Sequence, residues 1–331
     1  MKVVDMHCDT ISVILNEQRK GKNTNLRRNN LNIDIEKMKQ GDYLLQNFAM
    51  FVDFKRANNP LEQCLSLIDC FYDELEKNKD SISLALNYED IIKNQKEGKI
   101  SAVLTIEEGG VVCSSLACLR MLYKLGVRLI TLTWNYPNCI GFPNFNMDNC
   151  DMPDAHLANT KEGLTPFGIE LVQEMERLGM IIDVSHLSDA GFYDVLKYTT
   201  KPFVASHSNV RSIANHCRNM SDDMILELAK RGGVLGINFA GDFLEECEPG
   251  MKIRSTINNM VKHIRHVVNL AGIDCVGLGS DFDGIYQNLE IDHAGKMPEL
   301  EKALRAAGFS EEDIEKIFYK NVLRVYKEIL K

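Results

Sequence analysis

The chain has 331 residues, 45% hydrophobic and 26% charged, and 47 acidic against 38 basic residues give a net charge of -9. That composition is globular, long enough for one large domain or two modest ones, and without a dense basic face it excludes a nucleic-acid binder. No run approaches ~18 consecutive apolar residues, and Val3-Val4 is followed at once by Asp5, so neither a membrane span nor a signal peptide is expected. Ten cysteines are scattered from Cys8 to Cys275 with no Cys-x-x-Cys pair, which fits reduced thiols and a cytoplasmic location.

The first predicted strand runs through Val3-Val4 into Asp5-Met6-His7-Cys8-Asp9. On an extended backbone residues i and i+2 point the same way, so His7 and Asp9 can share one ligand, with Cys8 facing away. An imidazole nitrogen and a carboxylate oxygen suit Zn²⁺, and they accept Mn²⁺ or Fe²⁺ as well. The plain alternative is a polar turn closing the strand, with His7 merely hydrogen-bonded. Residues 11–15 lead into a polar Gly/Asn/Arg segment that reads as a loop across the strand's mouth, and residues 33–40 as a short helix.

Residues 43–54 are a mostly apolar second strand, and Pro60 opens a long amphipathic helix to Lys77. Residues 82–86 read as a connector and 88–96 as a helix. A third strand, 99–106, ends in Glu107-Glu108-Gly109-Gly110. A helix over 114–125 is closed by Gly126, and a fourth strand, 127–133, is followed by Trp134-Asn135. The Asn-, Asp-, Gly- and Pro-rich stretch 139–165 predicts a long functional loop. Helix 166–178 precedes a fifth strand, 180–184, which ends at Ser185-His186. Helix 188–198 precedes a short sixth strand, 203–205, which ends at Ser206-His207-Ser208. Helix 222–231, strand 233–238, helix 255–270 and strand 274–278 follow, the last ending in Gly279-Ser280-Asp281-Phe282-Asp283. The patterns at 297–307 and 311–330 are helical.

Eight buried strands, most of them separated by helices, predict an α/β fold of the closed (β/α)₈ TIM-barrel kind, with one domain over residues 1–331. The competing open sheet lacks its Gly-x-Gly-x-x-Gly mark after the first strand. In a barrel the C-terminal strand ends converge on one pocket, and there lie His7, Asp9, Glu107, His186, His207 and Asp281. Five of them suit a two-metal site, in which His7 and Asp9 hold one ion, His186 and His207 the other, and Glu107 bridges. Such a pair shifts a water towards hydroxide and polarises a carbonyl. Asp281 is then the group that takes a proton from the water and gives it to a leaving nitrogen. Asp283 reads as a structural partner. His156 and His293 read as surface residues, and His216, His263 and His266 carry no ligand role. Arg211 or Arg218 could meet a substrate carboxylate, or either could form a salt bridge to a neighbouring loop.

The motifs DMHCD (5–9), VLTIEEGG (103–110), LYKLGVRLITLT (122–133), LTPFG (164–168), IIDVSHLS (181–188), SHSNVRSIANHCRN (206–219), GLGSDFDG (277–284) and NVLRVYKEI (321–329) resemble those of the renal, or membrane, dipeptidase family of zinc peptidases, family M19. The resemblance runs nearly end to end. It implies a (β/α)₈ barrel and hydrolysis of dipeptides, L-D pairs included. It further implies two Zn²⁺ per chain on His7, Asp9, bridging Glu107, His186 and His207. Asp281 would manage the proton and meet the free amine, and Arg218 rather than Arg211 would receive the terminal carboxylate. The departure is Trp134, where the mammalian enzyme has a histidine that contacts the substrate. The indole can donate one hydrogen bond but cannot titrate, and Asn135 is the neighbour that could compensate. A small dipeptide as substrate, no nucleic-acid or membrane partner, and a homodimer complete the expectation. The alternatives are an amidohydrolase-type barrel acting on a cyclic amide or lactone, and, prompted by Trp134 alone, a metal-stabilised binding protein without activity.

Overall fold

Eleven strands are present among the described residues: β1 Val3–Asp5, β2 Tyr43–Phe51, β3 Ile82–Leu84, β4 Ile100–Glu107, β5 Val127–Thr131, β6 Ile181–Asp183, β7 Val204–Ser208, β8 Val234–Ile237, β9 Arg254–Ser255, β10 Val276–Leu278 and β11 Asn288–Leu289. They belong to a computed structural model that describes residues 1–148, 153–246, 254–286 and 288–331; Cys150 and Cys247 lie outside these. Parallel pairing runs β2-β1-β10-β8-β7-β6-β5-β4, and a β2–β4 pairing closes the ring. This is the expected (β/α)₈ barrel, with helices between the strands.

Side-chain alternation divides the core into two layers. Val4, Leu45, Val103, Leu129, Ile181, Val204 and Val234 meet inside the barrel. On β4 the flanking Ala102, Leu104 and Ile106 instead join the layer that holds Leu67 and Phe71 of the helix Pro60–Lys77. The last helix, Asn321–Ile329, sends Val322, Val325 and Tyr326 into the inner cluster and plugs the barrel at the end away from the functional loops. The Tyr326 hydroxyl is held there by Asn47, whose Nδ2 donates at 2.6 Å. Helix starts follow the local chemistry. Asn59 and Thr165 each accept a backbone N–H, from Glu62 and Gly168, just before Pro60 and Pro166.

Two expectations are corrected. The stretch at 82–86 is not a plain connector: Ile82–Leu84 pairs with Ile100–Ala102, the lower half of β4, and β5 takes over that edge from Leu104 upward. The loop expected after Leu15 also starts later. Thr10–Arg19 is a ten-residue helix that buries Ile11 and Ile14, and the polar loop begins only beyond it.

Candidate active site

Each of the six strand-end residues reaches the same pocket. His7 Nε2 lies 3.3 Å from Asp9 Oδ2 and 3.4 Å from Glu107 Oε2. On the other side, His186 Nε2 lies 3.0 Å from Glu107 Oε1, His207 Nε2 lies 3.6 Å from the same oxygen, and the two Nε2 atoms are 3.0 Å apart. Glu107 therefore offers one oxygen to each group. Asp281 Oδ1 faces His7 Nε2 at 3.8 Å, while its Oδ2 accepts from Asn238 Nδ2 at 2.9 Å.

The backbone is bent to make this meeting. The β7–β8 register shifts between Ala205 and Ser208, so Ser206 and His207 form a bulge that re-aims the imidazole. Glycine makes room for it: a Cβ on Gly279 would fall 1.7 Å from the Ser206 carbonyl oxygen, and one on Gly236 would fall 2.0 Å from it. His186 and Asp281 sit at φ 68° and 62°, a left-handed conformation that side-chain-bearing residues seldom adopt. The 139–165 loop leans on the site through Asn144, whose N–H donates to the His186 carbonyl at 2.9 Å.

Two of the three imidazoles have a fixed back nitrogen. His186 Nδ1 faces Asn135 Oδ1 at 2.9 Å, and His207 Nδ1 faces Ser206 Oγ at 2.7 Å. With protons on both Nδ1 atoms, two bare Nε2 lone pairs and a carboxylate oxygen point at one another. His7 Nε2 and Asp9 Oδ1 are likewise buried with no hydrogen-bond partner. Gly284 leaves open the space beside the carboxylates, because a Cβ there would fall 2.2 Å from Asp9 Oδ2. The bare Nε2 atoms of His186 and His207, converging on carboxylate oxygens, fit a divalent cation. Two groups of candidate ligands stand out among the described residues, His7-Glu107-His207 and His7-Asp9-Asp281.

Electrostatics agree with the geometry. Burial resists ionisation of Glu107, but the opposing effects, led by the His7 charge, outweigh it and hold its carboxyl well below the usual range. His7 is held well above the ordinary imidazole value, since Glu107 and Asp9 overcome the cost of its burial. Burial and then the Arg218 charge push His186 down, which keeps it neutral. Glu108, next in the chain, is pushed up to about 7 by burial. It stands outside the cluster, accepting from the N–H groups of Gly110 and Trp134 and from Asn138.

The cluster opens into a cavity of about 660 Å³ whose walls include Trp134, Asn135, Arg218 and Asp281. Trp134 packs edge-on against Phe51 and Tyr136, with centroids 4.9 and 5.5 Å away, so an aromatic wall stands beside His186. Arg218 is buried with its Nε unpartnered, and its Nη2 donates to the His207 carbonyl at 3.2 Å. Arg211 is spent in a two-pronged pair with Asp189, at 2.7 and 2.8 Å. Asp283 accepts from Thr10 Oγ1 and the Asn32 N–H and ties the early loop down. Cys8 turns away and donates to the Asn47 carbonyl. Sequence reasoning passed over Asn238, although it too ends a predicted strand, and it passed over Asp183 and Ser206 behind His207.

A family model described as membrane dipeptidase (peptidase family M19) matches residues 1–331. An uncharacterized dipeptidase of Schizosaccharomyces pombe is 35% identical over 314 residues, 89% of this chain and 71% of that protein. Among solved structures, dipeptidase AC, a metallopeptidase of family M19, superposes with a TM-score of 0.88 at 26% identity, covering 100% of this chain and 99% of that one. A Rhodobacter sphaeroides metallopeptidase, liganded with a phosphinate mimic of L-Ala-D-Ala, shares the fold with a TM-score of 0.88 at 24% identity, covering 99% of each chain.

Proposed function

Because the chain belongs to the membrane dipeptidase family, peptidase family M19, and is a metal-dependent dipeptidase, we propose that it cleaves dipeptides with two Zn²⁺ ions held by His7, Asp9, Glu107, His186 and His207. The observation that carries this reading is the division of Glu107, whose Oε2 faces His7 and whose Oε1 faces His186 and His207. When bound, such ions polarise the scissile carbonyl and lower the pKa of water.

The protein's own groups then do the rest. Asp281 accepts a proton as the water oxygen adds to the carbonyl carbon, and it returns that proton to the amine nitrogen as the C–N bond breaks. Asn238 holds one Asp281 oxygen and leaves the other aimed at the cluster. Arg218 receives the terminal carboxylate, and its burial strengthens that pair while excluding water. Asn135 fixes the back nitrogen of His186, and Trp134 supplies an apolar wall for a substrate side chain. L-D dipeptides belong to the substrate range, in keeping with the phosphinate mimic bound to the Rhodobacter relative.

The test is a panel of L-L and L-D dipeptides on protein with quantified metal, alongside N-acetylated and C-amidated controls. Chelation should abolish turnover and Zn²⁺ should restore it. Equal rates on blocked or long peptides would overturn the reading. Among the described residues no helix is long and apolar enough to cross a membrane.

A further inference from the structure

Behind His207 lies a buried chain of hydrogen bonds with only one consistent direction. Asp183 ends β6 and is fully buried. Its Oδ1 accepts the N–H groups of Ser185 and Ser206 at 3.0 and 2.8 Å. Its Oδ2 accepts the hydroxyls of Thr131 and Ser206 at 2.6 and 2.5 Å. With donors on every side, the carboxylate has no use for a proton of its own. A serine hydroxyl has a single proton to give. Ser206 spends it on Asp183, so its lone pairs must accept, and what they face is His207 Nδ1 at 2.7 Å and Ser185 Oγ at 3.3 Å. Were Ser206 to donate to His207 instead, two oxygen lone pairs would oppose each other at 2.5 Å.

We infer that Asp183, acting through Ser206, is a positioning residue that fixes His207 with its proton on Nδ1 and so holds its Nε2 lone pair ready for a metal ion. Without that constraint a neutral His207 gains by turning its proton towards Glu107 Oε1, 3.6 Å away, and the pocket satisfies itself at the expense of the ion. The bulge at Ser206 and the close approach of Gly236 and Gly279 keep the serine in register for this task. The inference rests on the reading of His207 as a metal ligand.

Asp183→Asn is the informative change. Its oxygen must stay with the two backbone N–H groups, so its NH₂ takes the place of Oδ2 and forces Ser206 to accept. The Ser206 proton then turns to His207 Nδ1 and the tautomer reverses. Ser206→Ala removes the link outright, and it keeps the test alive if the amide variant does not fold. Thr131→Val is the control, because it deletes the other hydroxyl on the same oxygen without touching His207. Each full-length variant is stripped of metal and titrated with Zn²⁺ against a chelator of known affinity, with its melting temperature recorded. One Zn²⁺ affinity should weaken by about 10–100-fold in Asp183→Asn and Ser206→Ala. Thr131→Val should melt earlier with both affinities within about threefold of wild type, and ¹⁵N-histidine spectra should report a reversed tautomer only in Asp183→Asn. Equal loss of affinity in Thr131→Val and Ser206→Ala, or none in either Asp183→Asn or Ser206→Ala, would overturn the inference. A wild-type protein that binds no Zn²⁺ would sink the metal reading itself, a failure distinguished by occurring in the unmutated chain.

Discussion

The two sides of the site are built differently although Glu107 joins them. On the β6–β7 side both imidazoles are braced from behind, His186 by Asn135 and His207 by Ser206. On the β1–β10 side His7 Nδ1 has no partner, and the bracing goes to the backbone: Asp5 accepts from the His7 and Ser280 N–H groups and from Ser280 Oγ. One side thus presets proton positions on rings. The other presets where the chain runs and leaves its charges, Asp9 and Asp281, to be balanced by what binds. A rigid nitrogen side and an acidic side suit an ion-binding centre that must also move protons.

Removing what the sides share should have the largest effect. Glu107→Gln takes the negative charge from both, and turnover is expected to fall by ~10³-fold or more while bound metal drops below two per chain, read by elemental analysis beside the dipeptide assay. Asp281→Asn should separate proton handling from ion binding. It should retain metal while kcat falls by ~10²–10⁴-fold, and equal loss of metal would assign Asp281 to the ligands instead. Arg218→Met should cost roughly 10–100-fold in kcat/KM on dipeptides, the worth of a charge-assisted hydrogen bond, and almost nothing on dipeptide amides.

The acidic side also predicts a pH dependence. In the metal-free protein His7 is held protonated above the ordinary imidazole value by Glu107 and Asp9, and an ion must expel that proton to reach Nε2. Metal affinity should therefore rise with pH, by about tenfold per unit for one displaced proton while His7 remains protonated in the free state. Chelator competition across neutral pH reads the slope; a flat line would mean that His7 does not ligate. Trp134→Leu should do least, shifting preference among dipeptide side chains by about tenfold with metal content unchanged.

The barrel and the cluster were legible because both follow from local periodicity. Apolar runs gave the strands, and the two-residue spacing of His7 and Asp9 put two donors on one side of one of them. What escaped depends on neighbours distant in sequence. β3 is only three residues long and exists because the lower half of β4 has a free edge. The bulge at Ser206 requires a glycine on β8 and another just past the end of β10, and nothing local in Ser206-His207 announces it. His263, on a helix that reads as polar, is fully buried, accepting from the Val210 N–H and meeting the Leu244 carbonyl. Arg211 and Arg218 were equivalent by position, and only the fold shows Asp189 waiting for the first.

The most direct test of the whole account is a titration of metal-free protein with Zn²⁺, following bound ions and dipeptide turnover in the same sample. Turnover should stay near zero through the first equivalent and climb to its plateau at two ions per chain. Full turnover with one ion, or with none, would contradict a centre divided across Glu107.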